Sequence, residues 1–569
     1  MITGSRRISD IVAALVGLTF FSLTVGLEKL NPRNIGWLTF EDQQLHLLGW
    51  WFYASDQWRW PLGANPNWGW DGTNSIVYTD SWPGMALVFK SLDIAAVNHG
   101  QYFGLGFLIG YLALFVGAQR LFRSLGMALL PSLVSTGLLG TTSVFWWMQR
   151  WYPALTAGLP LLVWAIYLYV DDPRQKSSLW RRWSLLFVTA VATHAYLTLT
   201  IMPILGALLV RRLMHDRNSL LHSLTSLMTV GSITATSMYV FGYFTLPSKW
   251  AQTGGYGWYS ANVLGLLDFK EASHFLPNLP SLPGQHEPTA LGQGTVLLLI
   301  VLIIYRLRSR VPLGILNDVR KHAPLTIALL GLSALAVTNT VSIGSWSFDM
   351  PVPMRIEHGL SIFRSSARLI WPLVIAMSAW IIVMITRTLK YSTLYLFIAL
   401  CFQLIDSGPQ LVVLAQAPSS QSLDIVYDQN FWQRVPNRYT LIVSHPAQNA
   451  GVGWSECSLA AVRTGRAAQC GYFGRVQGLD VVNTNQDHTL LSAELDPKTI
   501  YWVSVSWLKA YKDQLLPVYQ LAGDSIMSVR DEAALDQNAV IIFGGCSDNQ
   551  LCSFLPASAI SLRAFLLGL

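Results

Sequence analysis

The stretch RRWSLLFVTAVATHAYLTLTIMPILGALLVRR, Arg181 to Arg212, decides how this chain is threaded. An apolar run holding His194 and Tyr196 is closed at each end by a pair of arginines. As one long helix it would put Arg181/Arg182 and Arg211/Arg212 on opposite sides of a membrane. The later basic loop Arg306–Lys321 would then face outward, against the tendency of Lys and Arg to collect on the cytoplasmic side. As two short helices meeting near His194, it keeps Arg120/Arg123, Arg174–Arg182, Arg211–Arg217, Arg306–Lys321 and Arg387–Lys390 on one side. The hairpin is the consistent reading. Arms this short put the turn near His194 in a recess lined by protein and water, because lipid does not tolerate open backbone.

The rest of the chain supports a membrane setting. Of 569 residues, 52% are hydrophobic and 12% charged, with mean hydropathy +0.39, where soluble domains carry about 25% charge. Windows of about 20 apolar residues fall near 8–28, 102–121, 127–146, 153–170, 219–243, 292–307, 323–342, 368–387 and 390–406. With the two hairpin arms the expectation is eleven spans. The first, Ile11–Val25, follows Arg6 and Arg7 without a small-residue cleavage site and reads as an uncleaved helix. The fold class expected is a polytopic α-helical membrane protein with a C-terminal α/β domain in the periplasm. The N-terminus is expected in the cytoplasm and the chain in the bacterial inner membrane. The net charge of +7 comes from short loops between apolar runs, so it sets orientation and gives no sign of nucleic-acid binding.

Residues 1–406 form the expected membrane domain, with a large first outer loop over 30–98, and 407–569 the soluble domain. In the latter, YTLIVS (439–444), IYWVSVSW (500–507) and AVIIFGG (539–545) read as strands. Ser458–Ala468 and Trp507–Leu516 read as helices. No GxGxxG or GxxxxGK[ST] pattern supports nucleotide binding. Four of the five cysteines, Cys457, Cys470, Cys546 and Cys552, fall in this region. Close pairs in an oxidising compartment favour Cys457–Cys470 and Cys546–Cys552, with other pairings open. No pair has the C-x-x-C spacing of a zinc site.

Candidate chemistry concentrates in WLTFEDQQLHLLGWWFYASDQWRWPLGANPNWGWDGTNSIVYTDSWPG, Trp37 to Gly84. Acidic residues and tryptophans gather there beside the first span, where charge is costly and aromatics settle at the boundary. Asp42, with Glu41 beside it, precedes a segment that reads as an amphipathic interfacial helix. His46 lies four residues on and would share its face. A carboxylate partly withdrawn from water can take a proton from an acceptor hydroxyl; the ordinary alternative is that Asp42 caps the helix. Asp71 and Asp80 sit among glycines and hydroxyls as candidate sugar ligands, or Asp80 caps the helix that starts near Pro83.

A second concentration is MRIEHGLSIFRSSARLIWP, Met354 to Pro372. Arg355, Arg364 and Arg368 lie on the expected outer side, against the charge rule, and a guanidinium fork suits phosphate. Arg364 and Arg368, four apart, would line one helical face. The alternative is a salt bridge to Glu357 or to the acidic first loop. His194 and Arg150 are further candidate phosphate donors. Tyr196, Trp258 in GGYGWYS and Glu287 in GQHEPTAL are candidate sugar or acceptor contacts. No spacing of His or carboxylates suggests a metal site, so no cofactor is required, and a divalent cation is left open.

These segments, EDQQLHLLGWWFYASDQWRWPLG, GTNSIVYTDS, GGYGWYS, GQHEP and SIFRSSARLIWP, resemble a family of uncharacterised bacterial integral membrane proteins. That family is related to the GT-C superfamily of polyprenyl-phosphate-sugar-dependent glycosyltransferases. The resemblance covers about residues 1–406. It implies transfer of a sugar from a lipid-linked donor to an envelope glycan or glycolipid acceptor on the periplasmic side. It further implies an acidic base in the first outer loop, carried onto Asp42 with Glu41 as rival, and basic lipid-phosphate contacts, carried onto Arg364 and Arg368. Trp151-Tyr152-Pro153 stands after Arg150 where the resemblance implies a histidine. The rival readings are a lipid-linked glycan transporter, which would need inverted repeats or broken midplane helices, and a noncatalytic envelope scaffold. The glycosyltransferase reading expects a carboxylate near residue 42 and guanidiniums near 364–368 to serve one cavity.

Overall fold

The structure is a computed structural model that describes residues 2–39, 41–70, 72–92, 100–172, 179–216, 220–246, 256–310, 315–360, 363–416, 429–449, 451, 453–475, 479–522, 525–527, 539–544, 560–561 and 566–567. In chain order, α1 (Ile2–Thr24) is followed by α2 (Glu41–Ser55) and α3 (Pro83–Ser91). Next come α4 (Phe103–Ser124), α5 (Leu129–Gly140), α6 (Pro153–Gly158), α7 (Pro160–Val170), α8 (Leu179–Val191), α9 (Ala195–His215) and α10 (Leu220–Val240). Then come α11 (Gln293–Ser309), α12 (Ile315–Lys321), α13 (Ala323–Val337), the hairpin β1 (Thr340–Ile343) and β2 (Trp346–Asp349), α14 (Met354–Leu360), α15 (Trp371–Thr388) and α16 (Ser392–Ala415). The chain folds into two compact units: Met1–Pro32, Tyr102–Met238 and Gln252–Ala417 in the first, and Arg33–Gln101, Tyr239–Ala251 and Pro418–Leu569 in the second.

A helix lies in each of the eleven expected windows, but length and composition separate them. Six segments among the described residues are long and apolar enough to cross a membrane: Arg7–Thr24, Phe103–Ser124, Pro153–Val170, Ala195–His215, Ser366–Thr388 and Ser392–Ala415. A seventh counts if α5 and Ser143–Gln149, bent by 63°, are one span. The other helices fall short for visible reasons. α8 has 13 residues and α13 has 15; α11 ends in Arg306 and Arg308; α10 is studded with Ser and Thr. By length and composition alone, six or seven of the eleven windows therefore hold helices suited to a hydrocarbon layer of about 30 Å.

The break at His194 is present. α8 ends at Val191, and His194 takes extended backbone (φ −163°, ψ 139°) and caps α9 by accepting the Tyr196 N–H at Nδ1, 3.2 Å away. The arms return to one end of the first unit. Arg182, at the start of α8, reaches Asp171 at 3.4 Å, while Arg211 and Arg212, at the end of α9, both pair with Asp172. The same end collects Asp10–Arg120 at 2.8 Å. His322 also lies there, its ring 6.0 Å from Tyr169 and within electrostatic reach of Arg211 and Arg387. The arginines described in those basic segments are therefore together in space, and adjacent aspartates neutralise several of them.

The second unit joins the first loop to the tail. Its tail contains α17 (Gln429–Arg434), β3 (Leu441–His445), α18 (Trp454–Arg463), β4 (Ala467–Gln469), α19 (Leu479–Leu491), β5 (Thr499–Ser504), α20 (Val505–Ala510), α21 (Lys512–Ala522), β6 (Ser525–Met527), β7 (Ala539–Phe543) and β8 (Ile560–Ser561). The sheet order is β4-β3-β5-β7-β6-β8, with β3 parallel to β4 and β5 and the other pairs antiparallel. All six residues of β5 are buried, as a central strand requires. The expected helix 458–468 stops at Arg463 because Gly465 turns the chain at φ +68°, and Ala467–Gln469 becomes β4. The helix expected over 507–516 is two, broken at Tyr511.

Trp68 from the first loop is completely buried in this unit. Its Nε1 donates to the Cys470 carbonyl at 2.7 Å and to Ser458 Oγ at 3.0 Å, and its ring stacks on Phe52 at 5.0 Å. The Gly69 N–H donates to the Ala468 carbonyl at 3.0 Å. Arg463 of α18 lies 4.5 Å over Trp51 of α2. The sequence reading separates loop and tail into different domains; the tryptophans make them one core. Cys457 and Cys470 are disulfide-bonded. Cys546 and Cys552 lie outside the described residues.

Candidate functional site

Helix α2 departs from its expected character. Every residue from Gln43 to Tyr53 is buried, polar and apolar alike, so α2 is a core helix of the second unit and has no lipid-facing stripe. Asp42 stands half-buried inside the first turn, after Glu41, and so does not occupy the cap position. The side chain of Glu41 lies outside the described residues. His46 is 1% exposed, and its Nδ1 lies 2.9 Å from the Thr79 carbonyl. Thr79 Oγ1 is 2.8 Å from Ser81 Oγ, which donates to the His46 carbonyl at 2.7 Å. This knot ties α2 to the 76–81 turn and gives His46 a structural role there. Asp80 is left-handed (φ 49°) at the end of that turn, and Trp82 is the cap of α3, so Asp80 does not cap it. Asp71 lies outside the described residues. Lys90 closes the other end of α2 by donating to the Tyr53 carbonyl at 2.7 Å, and burial pushes its pKa down to about 8, a cation at a helix C-terminus.

In the first unit, the end opposite the basic cluster brings five sequence segments together. Arg368, in the tight turn Ser366–Ile370 that leads into α15, is 4% exposed. Its Nε donates to Glu287 Oε1 at 2.7 Å. Its guanidinium lies 4.4 Å from the Tyr152 ring centroid and 5.3 Å from that of Tyr196, contacts that stabilise a desolvated cation. The Tyr196 Oη accepts the Ser365 N–H at 2.8 Å, so the His194 turn positions the FRSSAR segment. Tyr259 accepts the Ala367 N–H at 3.0 Å through its carbonyl, and its ring packs 5.4 Å from His286. Trp371 Nε1 donates to the Pro288 carbonyl at 2.8 Å and fixes the Glu287 loop.

The pairing is incomplete. Glu287 is 2% exposed, and its Oε2 has no hydrogen-bond partner among the described residues. No described residue accepts a hydrogen bond from either Nη of Arg368. A buried carboxylate oxygen without a partner is costly, so the arrangement suits a ligand carrying both an acceptor and a donor. Lys270 donates to the Gln285 carbonyl. Burial lowers its pKa, and Asp268, Glu287 and Glu271 oppose the shift. His286 is held below the usual histidine value by enclosure of its ring, opposed by Glu287 and reinforced by Arg368 and Lys270.

Arg364 is half-buried, 5.6 Å over Tyr259, in the segment before the turn. It does not share a helical face with Arg368, because the chain between them is not α-helical. The partner of Arg368 is Glu287, neither Glu357 nor the first loop. Arg355 is exposed on α14, and Trp258 is 56% exposed and packs over Gly284. The side chain of Arg150 lies outside the described residues. Tyr152, Lys270 and His286 were not singled out from sequence; a Tyr-Pro step opening a helix and a His-Glu step in a loop are too common to mark a site. Asp42 belongs to the second unit and Arg364 and Arg368 to the first. No group of three His, Cys, Asp or Glu able to hold a metal ion occurs among the described residues.

Fold and site together define a multi-pass membrane protein with a buried, half-satisfied arginine–glutamate pair at one end of its helices. The family described as Domain of unknown function (DUF6311) matches residues 14–408, well over half of the chain, and the protein belongs to it. No curated protein matches the chain.

Proposed function

We propose that the protein is a membrane glycosyltransferase that moves a sugar from a polyprenyl-phosphate donor to an envelope glycan or glycolipid acceptor. The reaction takes place on the periplasmic side of the bacterial inner membrane. The observation that carries this reading is the buried Arg368–Glu287 pair, with guanidinium N–H groups and a carboxylate oxygen both left for a ligand. Arg368 and Arg364 take the donor phosphate, and Glu287 Oε2 accepts a hydroxyl of the donor sugar. Tyr152 and Tyr196 hold the guanidinium plane so that its free edge stays oriented.

A carboxylate base takes the proton of the acceptor hydroxyl as that oxygen bonds to the anomeric carbon, and Asp42 is the residue tested for that role. The bond from that carbon to the phosphate oxygen breaks, and its electron pair leaves with the polyprenyl phosphate. Attack opposite the leaving group inverts the anomeric centre. No metal ion is assigned a step. In the test, Asp42→Asn is expected to lower transfer by about 10²–10⁴-fold while expression and donor binding persist, read by envelope glycan mass analysis and by reconstitution with defined lipid donors. Unaltered glycan modification in that variant removes Asp42 from the mechanism. Arg364→Ala is expected to raise the donor concentration required; an unchanged requirement removes the phosphate contact.

A further inference from the structure

The hairpin β1–β2 follows α13 after two residues and stands at the same end of the first unit as Arg368. Its register pairs Val341 with Phe348 and Ile343 with Trp346, so these four side chains share one face. Ile343 is 44%, Trp346 61% and Phe348 53% exposed. Met350, and Met354 and Ile356 on α14, extend the exposed apolar surface.

The other face is polar and is pinned at Ser342. Gln285 Nε2 donates to Ser342 Oγ at 2.7 Å, and Thr340 Oγ1 donates to Asp349 Oδ1 at 2.7 Å. The turn itself is gripped by Asn262, whose Nδ2 donates to the Gly344 carbonyl at 2.8 Å and whose Oδ1 accepts the Gly344 N–H at 3.0 Å. Gly344 adopts φ +65°, which a two-residue hairpin turn needs. The apolar face is thus presented rigidly, and its exposure is built into the fold.

The helix before it says what covers this face. α13 leaves Ile327 and Leu330 exposed while it packs beside α9, one of the long apolar segments. At about 1.5 Å per residue its 15 residues rise only about 22 Å, short of a hydrocarbon layer of roughly 30 Å. Strands of 4 residues at about 3.3 Å each add up to about 13 Å. Apolar exposure therefore continues from α13 onto the hairpin and brings the helix up to membrane thickness. The unpaired strand edges need water, and Trp favours the membrane–water boundary, which sets the depth at the headgroup–acyl junction. Asp349, Arg355 and Glu357 are all exposed and leave the finger without a dominant charge.

We propose that β1–β2 and α14 form an apolar finger that seats in the headgroup–acyl boundary of the bilayer beside the Arg368 site. The partner is the lipid surface itself, bound through Ile343, Trp346, Phe348 and Met354. The contact does not require anionic lipid. The inference stands apart from the glycosyltransferase reading, since it uses none of the residues assigned to transfer.

The test places a benzoylphenylalanine photo-crosslinker singly at 346, 348 and 347 in the full chain, reconstituted in phosphatidylcholine nanodiscs and analysed by mass spectrometry. Lipid adducts are expected several-fold more often at 346 and 348 than at 347, unchanged when phosphatidylglycerol is added. Adducts to a second copy of the chain, or equal lipid yields at all three positions, overturn the proposal. A reporter at 343 is expected to lose most of its lipid adduct when Trp346→Glu and Phe348→Glu are combined; an unchanged yield is equally fatal. These positions are exposed, so the variants leave the core intact.

Discussion

The two ends of the first unit both use arginine and a carboxylate, yet the pairs differ in burial and so in kind. At one end Arg182 and Asp171 are 44% and 36% exposed, and Arg120 and Asp10 33% and 18%. At the other, the side chains of Arg368 and Glu287 are 5% and 1% exposed. The half-exposed Arg182–Asp171 pair contributes about 0–1 kcal/mol, while Arg211 and Arg212 hold Asp172 in more enclosed pairs. A buried pair costs desolvation that its own attraction barely offsets. Such a pair, left half-satisfied among the described residues, is a candidate ligand site.

The sharpest way to break this contrast is Arg368→Ala, expected to destabilise by about 3–5 kcal/mol because Glu287 is left as an unpaired buried charge. The double change Arg368→Leu with Glu287→Leu is expected to regain most of that in thermal unfolding. An Arg368→Ala effect no larger than that of Arg182→Ala would erase the difference between the ends. Outside both ends, Cys457→Ser with Cys470→Ser opens a loop with sequence separation 13 and is expected to cost up to about 3 kcal/mol by the chain-entropy account, read as a lowered transition of the second unit.

A smaller effect follows from His445 in that unit. It is 2% exposed, with Nε2 3.1 Å from Asp487 and Nδ1 3.0 Å from Gln486. Burial depresses its pKa, and Gln486 and Asp487 oppose the shift. With the folded value below the unfolded one, the unfolded chain binds the extra proton, so stability is full above the usual histidine value of about 6.5 and falls as pH drops below it. His445→Gln is expected to flatten that slope; an unchanged slope assigns it elsewhere. Smallest is Arg182→Ala, expected below about 1 kcal/mol and weakened further by salt.

How much was legible in the sequence depended on the range of the interaction. The break at His194 and the shared end of the basic segments follow from residue order, because arginines and apolar runs obey a rule that needs no tertiary partner. The strands 441–445, 499–504 and 539–543 announced themselves through continuous apolar runs. The α2 helix misled, because the sequence QQLHLLGWW looks half-polar, yet Gln43, Gln44 and His46 are all buried and His46 is tied in by the Thr79–Ser81 knot. The Arg364/Arg368 spacing misled for a related reason: i,i+4 is a helical relation, and the chain there is not an α-helix.

The sequence by itself determined a multi-pass membrane chain with a polar α/β tail, because the cost of placing polar groups in hydrocarbon is paid residue by residue. Only the tertiary structure decided that Arg368 meets Glu287, 81 residues away, and that Trp68 belongs with Cys470, 402 residues away. Those pairings depend on which buried groups satisfy one another, a property of packing that no local pattern carries.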